Sequence, residues 1–432
     1  MRILSLVFCA AVTAAGTTPV MAQDSLGRQA VSLLQVLDSV AARYPSLEAA
    51  RARVRAARGS RSTAGTLGNP ILMYQVDNQP LPGRAAPPMD RELMLTATLP
   101  LEPLYQRWSR VSGANAEIRA AEADAQADRQ RIELDATRAF YRMARAQVAL
   151  AAARDLTAWL DSVVAYNRTR VKEGVAAEAD LIRSELERDR AEADATMQEA
   201  DLARARADLS VFLGDEPVRF RVTAFDAPLA LPDVPLTSRA GNTRPDIRAA
   251  RERVAAAGAG VTTERTNLIR QLGLTVGTKR TSGTTSLIAG VSMPFPLFDQ
   301  NRGAIARAAA EREAATFDLA AQERIGRAEI VGASESARLL TDRARVLAGA
   351  ARGQGYLARA DEARRIALGA YREGAVPLIQ VIDAARAWGE AQLVYYQILY
   401  AQHESVVQLL VAEGVDIASA LPVLTTGAEA RP

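Results

Sequence analysis

The sequence predicts a mainly α-helical chain with a small β part, built as two tandem copies of one unit: helix, strand, strand, long helical hairpin. Three observations predict it. The first is length without interruption. Leu104 to Arg170 holds one helical pattern, and no proline intervenes between Pro296 and Pro377. Roughly 70 helical residues reach about 100 Å, far more than a compact domain needs. The second is repetition. Val171-Lys-Glu-Gly174 returns as Tyr371-Arg-Glu-Gly374, and Pro45-Ser-Leu47 as Pro245-Asp-Ile247, both at an offset of 200 (371 − 171 and 245 − 45). Leu99-Pro-Leu101 returns as Met293-Pro-Phe295 at 194 (294 − 100), so a short indel separates the two registers. The third is four short alternating segments, two in each copy ahead of the long helix.

Composition narrows the class. The chain has 432 residues, a net charge of +3 and 5% aromatics, with Arg and Glu interspersed rather than blocked. Nucleic-acid binding, which wants basic residues gathered on one face, finds no support, and frequent alanine suits closely packed long helices. Residues 1–22 read as a signal peptide: Arg2, an apolar run from Ile3 to Ala15, and Val20-Met21-Ala22 before Gln23. Cys9, the sole cysteine, lies inside it, so the mature chain forms no disulfide and no thiolate metal site. Residues too bulky for a lipoprotein site precede Cys9, so no acyl anchor is expected. No other apolar run approaches the ~18 residues of a spanning helix. An exported chain of this kind belongs to the periplasm, the medium or an outer-membrane barrel.

The first repeat is expected over 23–217. Val31 to Tyr44 reads as a helix stopped by Pro45, and Ser46 as the cap of a second helix ending near Thr66. Strands follow at about 70–77 and 91–100, joined by a proline-rich loop. Leu93, Leu95, Ala97 and Leu99 alternate with Met94, Thr96 and Thr98, apolar toward lipid and small or polar toward a lumen. The long helix carries a 3-4 seam, Val111, Ala114, Ile118, Ala121, Ala125, then Ile132, Ala136, Ala139, Met143, Ala146 and Leu150. Its return helix repeats the spacing at Ala191, Ala195, Gln198, Leu202, Ala205, Leu209 and Phe212. Residues 218–245 read as a strap lying against the bundle. The second repeat spans 246–413, with strands at about 271–278 and 285–294 and a hairpin over 299–413 whose first helix is unbroken and capped by Asp299 and Asn301. Residues 414–432 form a weakly patterned tail.

Four strands leave two unpaired edges that no membrane tolerates. Three chains give twelve strands, enough to close a β-barrel, with the helices continuing as a periplasmic α-barrel.

The order of elements, the duplication, the turns at Val171–Gly174 and Tyr371–Gly374 and the strand-to-helix passages resemble the TolC family of outer-membrane efflux channels. Pro296-Leu-Phe-Asp-Gln-Asn-Arg-Gly303 resembles the branch serving cobalt-zinc-cadmium metal efflux pumps. The resemblance implies an outer-membrane homotrimer that extends into the periplasm. It docks on a periplasmic adaptor (membrane fusion) protein and a proton-driven inner-membrane pump of the resistance-nodulation-division type. It also implies a pore narrowed near the two glycine turns, with Tyr371, Asp383 and Asp180 at the gate, and adaptor contact at Gly174, Val175, Gly374 and Ala375. The chain departs from TolC at Gln380 and Val376, so the latch is either weaker or made by residues such as Arg183 or Arg372. A ring of Asp383 carboxylates would attract cations.

Catalysis finds no constellation. His403 is the only histidine and sits in the 3-4 seam from Ile382 to Leu410, so it reads as packed between helices. Met73, Met94 and Met293 read as wall packing, Asp299-Gln-Asn301 lacks the remaining ligands of a calcium loop, and Gly258-Ala-Gly260 follows a helix, not a strand. No enzyme, cofactor or metal site is expected. Beside an efflux duct for metals stand a drug-efflux or type I secretion duct and, from another class, a periplasmic coiled-coil adaptor or structural protein. An adaptor would carry one hairpin rather than two.

Overall fold

A computed structural model describes residues 30–79, 82–83, 89–214, 220–232, 244–267, 272–293, 295–349 and 355–421. The signal segment and most of the tail lie outside them. In order, the elements are β1 (Ala30–Val31), α1 (Leu33–Arg43), α2 (Pro45–Gly65), β2 (Ile71–Asp77), β3 (Glu92–Pro100), α3 (Glu102–Lys172) and α4 (Glu178–Leu213). There follow β4 (Arg221–Val222), α5 (Pro245–Thr266), β5 (Gly273–Thr281), β6 (Thr284–Ser292), α6 (Arg302–Ala348), α7 (Tyr356–Arg372) and α8 (Leu378–Ala412). Matching helix ends fall 200 residues apart: α3 and α6 begin at 102 and 302, α3 and α7 end at 172 and 372, and α4 and α8 begin at 178 and 378.

Three local expectations are corrected. Ser46 does not cap α2. Tyr44 is its N-cap and Pro45 takes the first helical position, where its missing N–H costs nothing. Strand β5 runs to Thr281, because Ser282 (φ 51°) and Gly283 (φ 83°) make a two-residue turn whose positive φ values match strand twist. The second long helix is not continuous. It stops at Ala348, with Gly349 at φ 83°, ψ 153°, and α7 starts at Tyr356. Proline is not the only breaker: Gly349, Gly353 and Gly355 fall within seven residues, and glycine costs a helix interior about 1 kcal/mol each. Helix α3, without that cluster, runs 71 residues unbroken, about 105 Å.

Strands β1 and β4 pair in parallel by themselves, and the other four form one antiparallel sheet in the order β2-β3-β5-β6, so the hairpins of the two repeats join through β3 and β5. Directly opposed residues share a face. Leu72, Tyr74, Leu95, Leu99, Val276, Leu287 and Val291 therefore stand on one face, all exposed. The other face carries Thr96, Thr98, Thr275, Gly277, Lys279, Ser286 and Gly290, with a Thr98–Thr275 hydroxyl contact at 2.9 Å and Lys279 Nζ 2.6 Å from Glu92. Nine-residue strands are about 30 Å long, the length that crosses a bilayer's hydrocarbon.

The helices are arranged likewise. Beside the sheet, α3 packs between α2 and α5, and α5 leans on α6. Further along, α3 lies between α4 and α8, and α8 packs on α6 and then α7. Every layer is thus an open arc, with β2, α2 and α4 at one margin and β6, α6 and α7 at the other. Seam residues Ala114, Ile132, Ala136, Ala139, Met143 and Leu150 of α3, with Ala191, Leu202, Ala205 and Leu209 of α4, are buried.

Asn301 takes the N-cap position of α6, but its side chain makes no capping bond to the helix. Asn301 adopts the left-handed conformation (φ 55°), and its Nδ2 donates to the Glu264 carbonyl at 2.7 Å and the Glu264 carboxylate at 3.0 Å. Asp299 accepts the Asn301 N–H. The passage welds the start of α6 to the end of α5.

The strap, over 220–232, is held by two glutamines. Gln147 of α3 accepts the Val222 N–H at 2.9 Å and donates to the Val222 carbonyl at 3.1 Å. Gln402 of α8, fully buried, does the same for Leu229 at 3.0 Å each way and also donates to Thr341. Each amide imitates one rung of a sheet. Gln402→Leu leaves a buried N–H and C=O without partners, so a loss of about 2–4 kcal/mol is expected. Faster proteolysis of the strap would report it; unchanged cleavage would show that the clamp contributes little.

Candidate functional site

The far ends of both hairpins are built alike. After α3, the Gly174 N–H donates to the Val171 carbonyl at 3.0 Å and the Val175 N–H to Arg170 at 2.9 Å. After α7, Gly374 donates to Tyr371 at 3.0 Å and Ala375 to Ala370 at 2.8 Å. This double closure needs a left-handed residue after the helix, and Gly174 (φ 73°) and Gly374 (φ 78°) supply it. Val175 and Ala375 project as exposed residues at the two tips.

Tyr371 is only 5% exposed and packs with Val163, Leu378, Val381 and Ile382. Its hydroxyl donates to Oδ1 of Asn167 on α3 at 2.7 Å. Asn167 is fully buried, and its Nδ2 has no partner among the described residues. Tyr166 meets the Tyr371 ring edge-on at 5.9 Å, and the Arg170 guanidinium lies 5.5 Å and 5.6 Å from the two ring centres. Arg372 reaches the Tyr166 ring from α7 at 6.0 Å. One face of Tyr371 thus ties the tip of the second hairpin to the first. Such a cation over aromatic faces adds about 0.5–2 kcal/mol.

The two aspartates stand differently. Asp383 is exposed, with Arg386 of its own helix at 4.0 Å. Arg386 also pairs with Glu187, linking α8 to α4. Asp180 is half-buried in the first turn of α4, close enough to Tyr371 for its charge to be felt there. No hydrogen bond or ion pair joins Asp180 to Asp383 among the described residues. The structure therefore sets Tyr371 beside Asn167 and Arg170, and leaves Asp383 on the surface. Asn167, Tyr166 and Arg170 were not singled out from sequence. Their nearness to the repeated Val171–Gly174 landmark was the available signal, but the partner of Asn167 lies 204 positions away.

Above the tip, a second clamp crosses three helices. Arg364 of α7 lies 4.0 Å from the Trp388 ring centre and 5.6 Å from that of Trp159. It also pairs with Asp361 at 2.7 Å.

His403 occupies the seam position expected for it. It is fully buried, with Nε2 3.0 Å from the Ala227 carbonyl of the strap and its ring edge-on to Tyr141, Phe225 and Tyr400. Burial drives its pKa down to about 4 and pushes the Tyr400 phenol up to about 12.

A sheet with one apolar and one polar face, continued by a 71-residue helix of about 105 Å and shorter companions that end in exposed turns, defines a membrane-wall and conduit class of protein. The sequence profile of the outer membrane efflux protein family matches residues 36–215 and 236–415, one match per repeat. The chain belongs to that family and is a protein of the cell outer membrane that extends into the periplasm. The outer-membrane channel OprN shares the fold at 22% identity with a TM-score of 0.75, covering 89% of this chain and 90% of that one. Campylobacter jejuni CmeC shares it at 16% identity and 0.74, covering 90% and 88%. Neisseria gonorrhoeae MtrE, solved in its open state, shares it at 19% identity and 0.70, covering 89% of each. No curated protein matches the sequence significantly.

Proposed function

We propose that the chain is one third of a passive trimeric duct, the outer-membrane component of a tripartite efflux system. The observation that supports it is the open arc in every layer. Edge strands β2 and β6 carry unpaired backbone groups, and a bilayer supplies no water to satisfy them. Three copies joined β6 to β2 give a closed twelve-stranded barrel, and the same operation brings α6 and α7 against a neighbour's α2 and α4. The polar sheet face then lines the lumen. The exposed turns at Gly174, Val175, Gly374 and Ala375 suit contact with a periplasmic adaptor, and a proton-driven inner-membrane pump supplies the energy.

Asp383, and with it Asp180, is the gate's electrostatic element. Its carboxylate is exposed and only distantly countered, so three copies set three negative charges near one axis. Asp383→Ala is expected to change single-channel conductance in planar bilayers and to weaken block by divalent cations. Unchanged conductance and block would remove Asp383 from the constriction. Tyr371 acts from behind, holding the second hairpin tip on Asn167.

A metal-cation cargo is the finer reading and rests on the resemblance of Pro296–Gly303. Part of that passage is a joint, through Asn301 and Asp299, so the resemblance bears on kinship rather than on a group that touches cargo. Restored cobalt, zinc and cadmium tolerance in a strain lacking its own metal-efflux duct would support it. Restoration of drug tolerance alone would favour a drug-efflux duct.

A further inference from the structure

A pocket of about 360 Å³ opens between α3, α4 and β4, far from the tips. Leu150, Ala151, Leu202 and Ala203 make an apolar floor, and Arg154, Arg206 and Arg221 surround it. Arg154 is matched by Glu199 at 3.0 Å. Arg206 and Arg221 make no hydrogen bond or ion pair among the described residues. Many surface arginines lack partners too, but Arg206 differs: its Nε is shut off from water and still finds no acceptor. A buried donor on a charged group is costly unless something completes it. The strap brings Arg221 to the mouth of the pocket, and Gln147, which also lines it, fixes the strap there through Val222.

We propose that this pocket is an oxyanion site, taking a carboxylate or phosphate borne on a short apolar arm. A guanidinium presents parallel N–H donors that match two oxygens at once, and the floor accepts the arm. Position excludes a lipid headgroup. Leu150 lies 48 residues into α3 (150 − 102), about 70 Å from the sheet. The ligand is therefore a soluble or cell-wall anion of the periplasm, and the site is independent of the gate and of conduction.

The test uses the full chain purified in detergent, titrated calorimetrically with inorganic phosphate and, separately, with N-acetyl-alanyl-glutamate, each against chloride at matched ionic strength. Saturable binding of either probe is expected, and the tighter one names the source, free phosphate or carboxylate peptide. Arg206→Gln and Arg221→Gln are each expected to weaken binding about tenfold or more, in keeping with loss of a charge-assisted bond. Arg204→Gln, on the same helix but already paired with Asp201 at 3.2 Å, should leave it unchanged. If Arg206→Gln does not fold, Arg221→Gln carries the comparison from its exposed strand. Wild-type protein that takes up neither probe saturably, or variants that bind as tightly as wild type, would overturn the site. Neither result touches the duct, whose readout is conductance.

Discussion

Gly277→Val is expected to leave the chain unable to assemble into a heat-resistant membrane form. Gly277 faces Thr96 across β3 and β5, the rung where the two repeats join. A Cβ there would stand 2.6 Å from the Thr96 Cα, and closer still to the Leu95 carbonyl oxygen. Both are backbone atoms and cannot swing away, so the ladder itself must open, and with it the seam between hairpins. Overpacking of ordinary side chains costs about 1–3 kcal/mol; a backbone collision at the central rung should exceed that. Gly258→Ala is the comparison. Its Cβ would meet nothing within 4 Å, and in a helix the change stabilises by about 0.5–1 kcal/mol. Semi-native electrophoresis of membrane extracts separates the two outcomes. A normal assembled band from Gly277→Val would show that β3 and β5 are not paired in this register.

The second large effect belongs to His403 and to acid. Its imidazole is buried against the strap, and its pKa falls from 6.5 to about 4. The folded chain therefore binds fewer protons than the unfolded chain throughout the interval between those values. Stability from this group is complete above about pH 6.5, declines as pH falls, and stops declining near pH 4, where the folded ring takes its own proton. The shift corresponds to about 3 kcal/mol per chain. Tyr141, Tyr400, Phe225 and the Ala227 carbonyl surround the ring, and none carries a negative charge in that range to offset the proton. Melting of wild type should drop steeply between pH 7 and pH 4.5, and His403→Gln should flatten the slope. Parallel slopes would show that His403 is not the group responsible.

These two residues also mark how far sequence could be read. The duplication, the glycine turns and the seam holding His403 are local signals, because periodicity and turn chemistry are written into neighbouring residues. The interruption at Gly349 has no proline to announce it: the run from Pro296 to Pro377 is proline-free, and the break comes instead where three glycines fall within seven residues. Partnerships across the chain left no trace. Asn167 with Tyr371, Gln147 with Val222 and Gln402 with Leu229 each join ordinary-looking residues at separations of 204, 75 and 173. Nothing local marks Gly277, whose importance lies in Thr96 on the opposite rung. Asn301 looked like a cap, and Glu264, 37 positions earlier, turned it into a joint.

The 200-residue spacing has one more consequence. Position 180 corresponds to 380 and position 183 to 383, so Asp180 answers to Gln380 and Arg183 to Asp383. Two turns closed by matching hydrogen bonds thus lead into unlike charge: Asp180 and Arg183 follow the first, while Gln380 and Asp383 follow the second, with Arg386 4.0 Å from Asp383. A docking partner that senses contour meets two interchangeable sockets on every chain. One that senses charge meets a different arrangement at each and can bind in only one rotational setting.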